Sequence, residues 1–412
     1  MQKKLMILLF CVLTGTSFAQ TFLNAGTWIG TLKLNDSTEL PFDFEVQNMK
    51  EKLSLTILNA QEQIKVEDVT VTGDSVFIKM PVFDSEFRCQ RIAAGKMKGV
   101  WINHARKNNN VIAFEAYAQV TNAWSKAPEV FVPTETLDRG KWEVTFSKGT
   151  PDEYKAIGLF KTKDLINVTG TFSTETGDYR YLSGKVKDNN TFYLACFDGA
   201  HAFMFTGKIK GDSIVNGRFY SGIHGEEPWE AVHNDNFELR NPDSLTFLKP
   251  GFTKVDFNFK NLEGKYVSLS DDKFKHKVVM IQIMGTWCPN CMDETKFLAG
   301  FYDTYKKQGL EVVGLAFERT DDFAKAVGNV QRLKTRFNAN YEFLITMKTG
   351  ADQASQALPM LNKVMAFPTT IYIDKKGMVR KIYTGFYGPA TGDAYKKYVE
   401  ETTSFVEMLL KE

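Results

Sequence analysis

Between residues 20 and 245 the apolar residues recur at every second position, in short runs broken by Gly, Asn and Asp. Ser54-Leu55-Thr56-Ile57-Leu58, Val69-Thr70-Val71-Thr72 ahead of Gly73-Asp74, and Thr191-Phe192-Tyr193-Leu194 are examples. Period-two alternation between turn residues predicts antiparallel strands, and helical periodicity is scarce over the same stretch. The region reads as all-β. It also resembles itself: Gly26-Thr27-Trp28 matches Gly140-Lys141-Trp142, and Phe83-Asp84 matches Phe197-Asp198 at the same offset. Gly99-Val100-Trp101 further matches Gly217-Arg218-Phe219 after a small insertion. Two duplicated units, each a small barrel or sandwich, are expected.

The pattern changes after Asn241-Pro242-Asp243-Ser244. Strands now alternate with helices, which predicts an α/β domain. Asp256-Phe257-Asn258-Phe259 and Lys265-Tyr266-Val267-Ser268-Leu269 flank Glu263-Gly264 as a hairpin would. Val278-Val279-Met280-Ile281-Gln282-Ile283-Met284 is almost wholly apolar, as a strand buried on both faces must be. Helices are predicted over 289–307, from Asp321-Asp322 onward, and over 393–410, with strands over 311–317, 341–346, 369–373 and 379–383. The stretch 350–365 predicts a short additional helix beside the active site. The expected division is therefore 1–19, 20–127, 128–245 and 246–412: a leader, two β-rich units and an α/β domain.

The leader is read from Lys3-Lys4, an apolar run over 5–13 and a small-x-small site at Ser17-Phe18-Ala19, an export signal cut after Ala19. The apolar run is too short to span a bilayer as a helix. Cys11 lies within it and is expected to leave with it. No other stretch has the length of a membrane span, so the mature chain is expected to lack a transmembrane segment and to work in an oxidising, periplasmic compartment. Lys and Arg number 51 against 49 Asp and Glu, and Lys3 and Lys4 account for the excess. A balanced charge argues against a nucleic-acid partner, which needs a clustered basic surface.

The candidate chemistry sits at Gly285-Thr286-Trp287-Cys288-Pro289-Asn290-Cys291, where the buried strand meets the predicted helix. Spacing of i, i+3 on a first helical turn brings two sulfurs close enough to bond. The helix N-terminus offers unpaired N–H groups and a positive dipole end, both of which favour a thiolate. Pro289 is tolerated there because the first helical N–H has no partner. Cys288 would attack a disulfide and Cys291 would resolve the mixed disulfide. A zinc half-site, a structural disulfide and a one-cysteine peroxidase are the competing readings of a lone C-x-x-C. The remaining cysteines of the mature chain, Cys89 and Cys196, are read as buried free thiols.

Trp287-Cys288-Pro289-Asn290-Cys291, the apolar strand before it, and Ala366-Phe367-Pro368-Thr369-Thr370 before another strand resemble the thioredoxin superfamily, more narrowly its extracytoplasmic TlpA/ResA-like branch. The similarity covers about 160 residues and includes the hairpin over 257–269. The resemblance implies a thioredoxin-like fold for 246–412 and a thiol:disulfide oxidoreductase without a cofactor or metal. It implies that Pro368 is the cis-proline facing the disulfide, and that Glu294 tunes cysteine pKa or transfers protons. Glu318 lies near a second family acid. Ile283-Met284-Gly285 and Phe367 depart from the usual pattern and alter the surface around Cys288.

The expected partners are client proteins with disulfides or thiols and a membrane-embedded electron donor, with cytochrome c maturation or thiol repair as settings. An oxidase or isomerase using the same cysteines remains open, as does a protein whose β units bind a ligand while the α/β domain is accessory. In the β half, Phe197-Asp198-Gly199-Ala200-His201 and Tyr220-Ser221-Gly222-Ile223-His224, with Trp229 nearby, form a packed turn with satisfied histidines, a pocket wall or a metal site.

Overall fold

The computed structural model describes residues 23–49, 52–108, 110–119, 133–164, 166–348 and 350–412. The expected leader with its cleavage site and Cys11, and the expected boundary between residues 127 and 128, lie outside the described residues. Among the described residues no helix is long and apolar enough to cross a membrane.

The first β unit is a nine-stranded antiparallel meander running from Gly26–Lys33 to Val111–Ala118. It curls so that the first strand pairs with both the second and the last, Trp28 lying opposite Phe44 and Ala118. Glu62–Val66 and Asp68–Thr72 stand at its two edges. The second unit, from Lys141–Phe146 to Gly225–His233, goes further and closes. There Tyr154–Thr162 pairs on its far side with Asn167–Thr174, which completes the ring and removes the sheet's open edges.

The two units share more than topology. Trp28 and Trp142 are both fully buried, and each indole N–H donates to a carbonyl just upstream, Asn24 at 2.8 Å and Leu137 at 2.9 Å. Gly99 and Gly217 both lie in the strand before the last of their unit. The two Phe-Asp pairs occupy corresponding hairpin loops but opposite ends of them, Phe83-Asp84 before a strand and Phe197-Asp198 after one.

Strand Thr191–Phe197 fastens the barrels together through its alternation. Phe192, Leu194 and Cys196 point into the second barrel's core, whereas Ala195 and Phe197 enter the first. The Phe197 ring stacks on Phe42 at 4.7 Å and meets Trp101 edge-on at 5.2 Å. Cys89 and Cys196 are both buried and unbonded.

The C-terminal unit is a seven-stranded mixed sheet flanked by helices. Its central strand Val278–Met284 is buried along its whole length, parallel to Leu310–Ala316 and antiparallel to Thr369–Ile373. Glu342–Ile345 continues the parallel set, and the hairpin Asn258–Asn261/Tyr266–Ser268 and the strand Val379–Thr384 form the two edges. Helices α1 (Pro289–Tyr305), α2 (Phe323–Phe337) and α4 (Asp393–Lys411) contribute Leu298, Val330 and Val406 to the core on one face. The short helix α3 (Gly350–Ala357) lies on the other, with Ala354 buried against Ile281 and Ile371's cluster. The added helix is present, but the cleft at Cys288 is lined by other segments. A multidomain chain with an all-β half followed by an α/β domain is what the periodicities predict, the thioredoxin-like form of that domain is what the resemblance implies, and both are observed.

Candidate functional site

The buried strand ends at Met284, and the chain turns through Gly285-Thr286-Trp287 before α1 begins. Glycine is required at 285, because a Cβ there would lie 2.3 Å from the Trp287 indole nitrogen. Glu318, just past the neighbouring strand, fixes this turn. Its carboxylate accepts from the Thr286 N–H at 2.7 Å, the Thr286 hydroxyl at 2.6 Å and Asn329 at 3.0 Å. The Trp287 indole donates to the Phe317 carbonyl at 2.8 Å.

Cys288 is extended and occupies the N-cap of α1, with Pro289 in the first helical turn. Its sulfur accepts from the Cys291 N–H at 3.3 Å, the place a Ser or Asp oxygen takes in an ordinary cap. A sulfur anion here meets an orphan N–H and the positive end of the helix dipole. The Cys288 thiol also faces the Phe367 carbonyl at 3.3 Å, and the Phe367–Pro368 peptide is cis. Cys288 keeps 7% of its surface exposed, whereas Cys291 is fully enclosed. Burial, then Cys288 and its charge, push the Cys291 thiol well above the usual range.

Glu294 lies one turn into α1 and is entirely buried. It accepts from Thr370 at 2.6 Å, Gln282 at 2.9 Å and Tyr398 at 3.2 Å. The Gln282 amide also donates to the Cys291 carbonyl at 3.3 Å, so one side chain joins the acid to the second cysteine. Burial raises the Glu294 carboxyl to about 7 despite those three donors, which pull the other way. The structure thus gathers Cys288, Cys291, Glu294 and the Phe367-Pro368 turn at one end of the central strand.

The sequence did not reveal a set of contacts from the second barrel. Arg180 is buried, and its guanidinium donates to the Pro289 carbonyl at 2.9 Å. It also bonds Asp293 of α1 and Glu62 of the first barrel, and lies 3.4 Å from Asp198. Although burial works against ionisation of Asp198, His201 and Arg180 hold its carboxyl down to about 2. Asp293 moves the opposite way, to about 7, because burial outweighs Arg180's attraction and Glu62 adds repulsion. The neighbouring Asp178 carbonyl accepts from Asn290 at 3.0 Å, and the Asp178 carboxylate accepts from the Gly388 N–H at 2.5 Å. Gly177 sits at φ +136 with a Cβ position 2.5 Å from Asn290, so the approach depends on glycine. Both residues between the cysteines are therefore held by the β half.

Cys288 opens into a cleft of about 320 Å³ walled by all three units, with Phe83 and Arg106 from the first barrel and Tyr179 and His201 from the second. His201 stacks on Phe203 at 4.1 Å, its Nδ1 3.3 Å from Asp198, as a pocket-wall histidine rather than a ligand cluster. Among the described residues no group of three or more His, Cys, Asp or Glu is placed to hold a metal.

Comparison with known proteins places relatives on the C-terminal unit. The Redoxin family matches residues 249–397. The thiol-disulfide oxidoreductase ResA of Geobacillus thermodenitrificans is 32% identical over 140 residues, covering 34% of this chain and 72% of that protein. ResA of Bacillus thuringiensis subsp. konkukian is 28% identical over 156 residues, 38% of this chain and 80% of the relative. Among solved structures, a thiol:disulfide interchange protein of the thioredoxin family from Chlorobium tepidum aligns at 21% identity and TM-score 0.28, covering 38% of this chain and 95% of that one.

Proposed function

Because the chain belongs, through its C-terminal domain, to the ResA family of thioredoxin-like thiol-disulfide oxidoreductases, we propose that Cys288 and Cys291 are its redox pair and that it reduces disulfides of exported proteins. In this reading the Cys288 thiolate attacks one sulfur of a client disulfide, breaking that bond and releasing a client thiolate. Cys291 then loses its proton and attacks the Cys288 sulfur, releasing the second client thiolate. The two electrons that leave the protein as its own disulfide forms are restored by a dithiol donor, for which a membrane-embedded carrier is the natural class.

The observation that carries this reading is the sulfur of Cys288 capping α1, with the Cys291 N–H aimed at it, and Cys288 lining the cleft while Cys291 is fully enclosed. An attacking thiol that borders a cleft and a resolving thiol held behind it are what the two steps need. Glu294, tied to Cys291 through Gln282, is the proton acceptor for the second step. Pro368 shapes the wall opposite Cys288, where the client backbone would lie.

The division into a leader at 1–19, β units at 20–127 and 128–245 and a redox unit at 246–412 belongs to the same reading, as does action in the periplasm. The separate sheets and cores support the division. Cytochrome c maturation is one setting for such a reductant. The barrels act as client-selecting walls in this scheme, since both border the cleft above Cys288.

The test is capture. Cys291→Ala should accumulate mixed disulfides on Cys288 with extracytoplasmic proteins, and Cys288→Ser should abolish them and insulin reduction together. A Cys288 no more reactive toward iodoacetamide at neutral pH than a free cysteine, with insulin left unreduced, would overturn the reading. A reduction potential near that of thioredoxin supports a reductant; one near that of strong oxidants supports the oxidase instead.

A further inference from the structure

The charged groups around the cleft are unevenly satisfied. Its carboxylates are all engaged: Asp84 pairs with Lys325 at 2.9 Å, Glu318 is held by Thr286 and Asn329, and Asp178 by backbone N–H groups. Lys325 is thereby engaged as well, and His201 faces Asp198. Two guanidinium groups are left over. Arg106 of the first barrel and Arg319 of the redox domain both line the cleft, and among the described residues neither has a carboxylate within ion-pair distance. The Arg319 guanidinium carbon lies over the ring of Trp287, the residue that precedes Cys288, 3.7 Å from its centroid.

The pair is close enough to interact unfavourably. Burial lowers the Arg106 pKa, and burial followed by the charge of Arg106 lowers that of Arg319, while Cys288 and Glu318 pull it back. Two like charges held together with no carboxylate in ion-pair contact form a receptor for an anion, and planar forks suit a carboxylate. The cleft, at about 320 Å³, is at the small end of ligand pockets. It takes a cysteine with its immediate neighbours, not a folded surface.

Building on the redox role of Cys288, we propose that Arg106 and Arg319 form a carboxylate-binding subsite that selects clients with an acidic side chain next to the reacting cysteine. The first barrel then supplies half of a specificity element, and the redox domain supplies the other half beside its nucleophile. The bond chemistry is unchanged: Cys288 attacks the client sulfur, the leaving thiolate departs, and Cys291 closes the enzyme disulfide.

The pre-reduced full chain should be mixed, in single turnover, with three short peptides whose cysteine is blocked as a 2-pyridyl disulfide. The residue beside the cysteine is Asp, Asn or Lys, and the leaving group is neutral. The Asp peptide should react roughly tenfold faster than the Asn peptide, and the Lys peptide more slowly than either. Raising the salt should compress that order, since it screens exposed charge. In Arg106→Met/Arg319→Met the Asp-to-Asn ratio should fall close to one. Equal rates for all three peptides on the wild-type chain would overturn the subsite, as would a ratio unaffected by salt. A ratio that survives in the folded double variant would do the same. The Asn peptide separates the two ideas: if the wild-type chain fails to reduce it, the redox reading itself fails.

Discussion

The guanidinium of Arg180 in the second barrel donates to the carbonyl of Pro289, the first of the two residues between the cysteines, at 2.9 Å. The same side chain bonds Glu62 of the first barrel and Asp293 of α1, so a single buried cation joins all three units at the active-site turn. Asp178 reinforces the contact through Asn290 and Gly388. The β half is thus continuous with the C-x-x-C turn, whose contacts include residues outside the α/β domain.

Replacing Arg180 with Met should expose that dependence. Glu62, Asp198 and Asp293 would be left without their cation, and the Pro289 carbonyl without its donor. Removing one partner from a buried charge cluster costs roughly 3–5 kcal/mol. Urea unfolding should separate into two transitions, with the redox domain released from the barrels before either has melted. A single transition at the wild-type midpoint would show that Arg180 does not couple the units.

Glu318 offers a narrower probe of the turn ahead of Cys288. In Glu318→Ala the Thr286 N–H and hydroxyl and the Asn329 amide lose their acceptor in a buried setting. About 1–3 kcal/mol of stability should be lost, and Trp287 emission should change as its turn loosens. Glu318→Gln keeps one acceptor oxygen and should lose less. Thermal melts of the two variants beside wild type give the comparison, and equal losses would argue against the hydrogen-bond account.

Much of this arrangement is legible along the chain, for reasons that are local. Alternation at every second residue marks the barrels, because each strand has one face in a core and one out. The C-x-x-C and its helix start are seven consecutive residues, so their chemistry can be read in place. Closure of the second barrel is not legible, since the pairing of Tyr154–Thr162 with Asn167–Thr174 is one hairpin among many until the ring is seen. Arg180 could not be found either. Its partners Glu62 and Pro289 lie more than one hundred residues away in each direction, and nothing around Arg180 itself signals burial. The Phe-Asp pairs carry a different lesson: a shared sequence offset placed them in matching loops yet at opposite ends, whereas the two tryptophans match in burial and in bonding.

That equivalence predicts equivalent costs. Trp28→Phe and Trp142→Phe each delete an indole N–H that serves an upstream carbonyl, and each leaves a void in a core. Each should destabilise its own barrel by about 1–3 kcal/mol for the lost bond, with a cavity contribution on top. Urea titrations of the full-length variants would show it. A large loss at one position and none at the other would mean that the two barrels do not use their tryptophans alike.

The acidity of Glu294 gives the pH dependence its sign. Its carboxyl rises from 4.5 in the free chain to about 7 in the fold, chiefly through burial. Below about pH 4.5 it is protonated in both states and contributes no difference. As pH climbs from there toward 7, the unfolded chain ionises first, so it binds fewer protons than the native state and stability falls. Above pH 7 the whole penalty is present, on the order of 3 kcal/mol. Asp293, raised to about 7 by burial, adds a decline of the same sign, so the informative quantity is the difference between wild type and Glu294→Gln. The variant should gain stability on wild type between pH 5 and 8, measured by denaturant midpoints. The same substitution removes the group proposed to take the Cys291 proton, so mixed-disulfide resolution should slow by tenfold or more and lose its rise near pH 7. A variant that is more stable yet resolves at the wild-type rate would leave Glu294 a buried acid with no part in the chemistry.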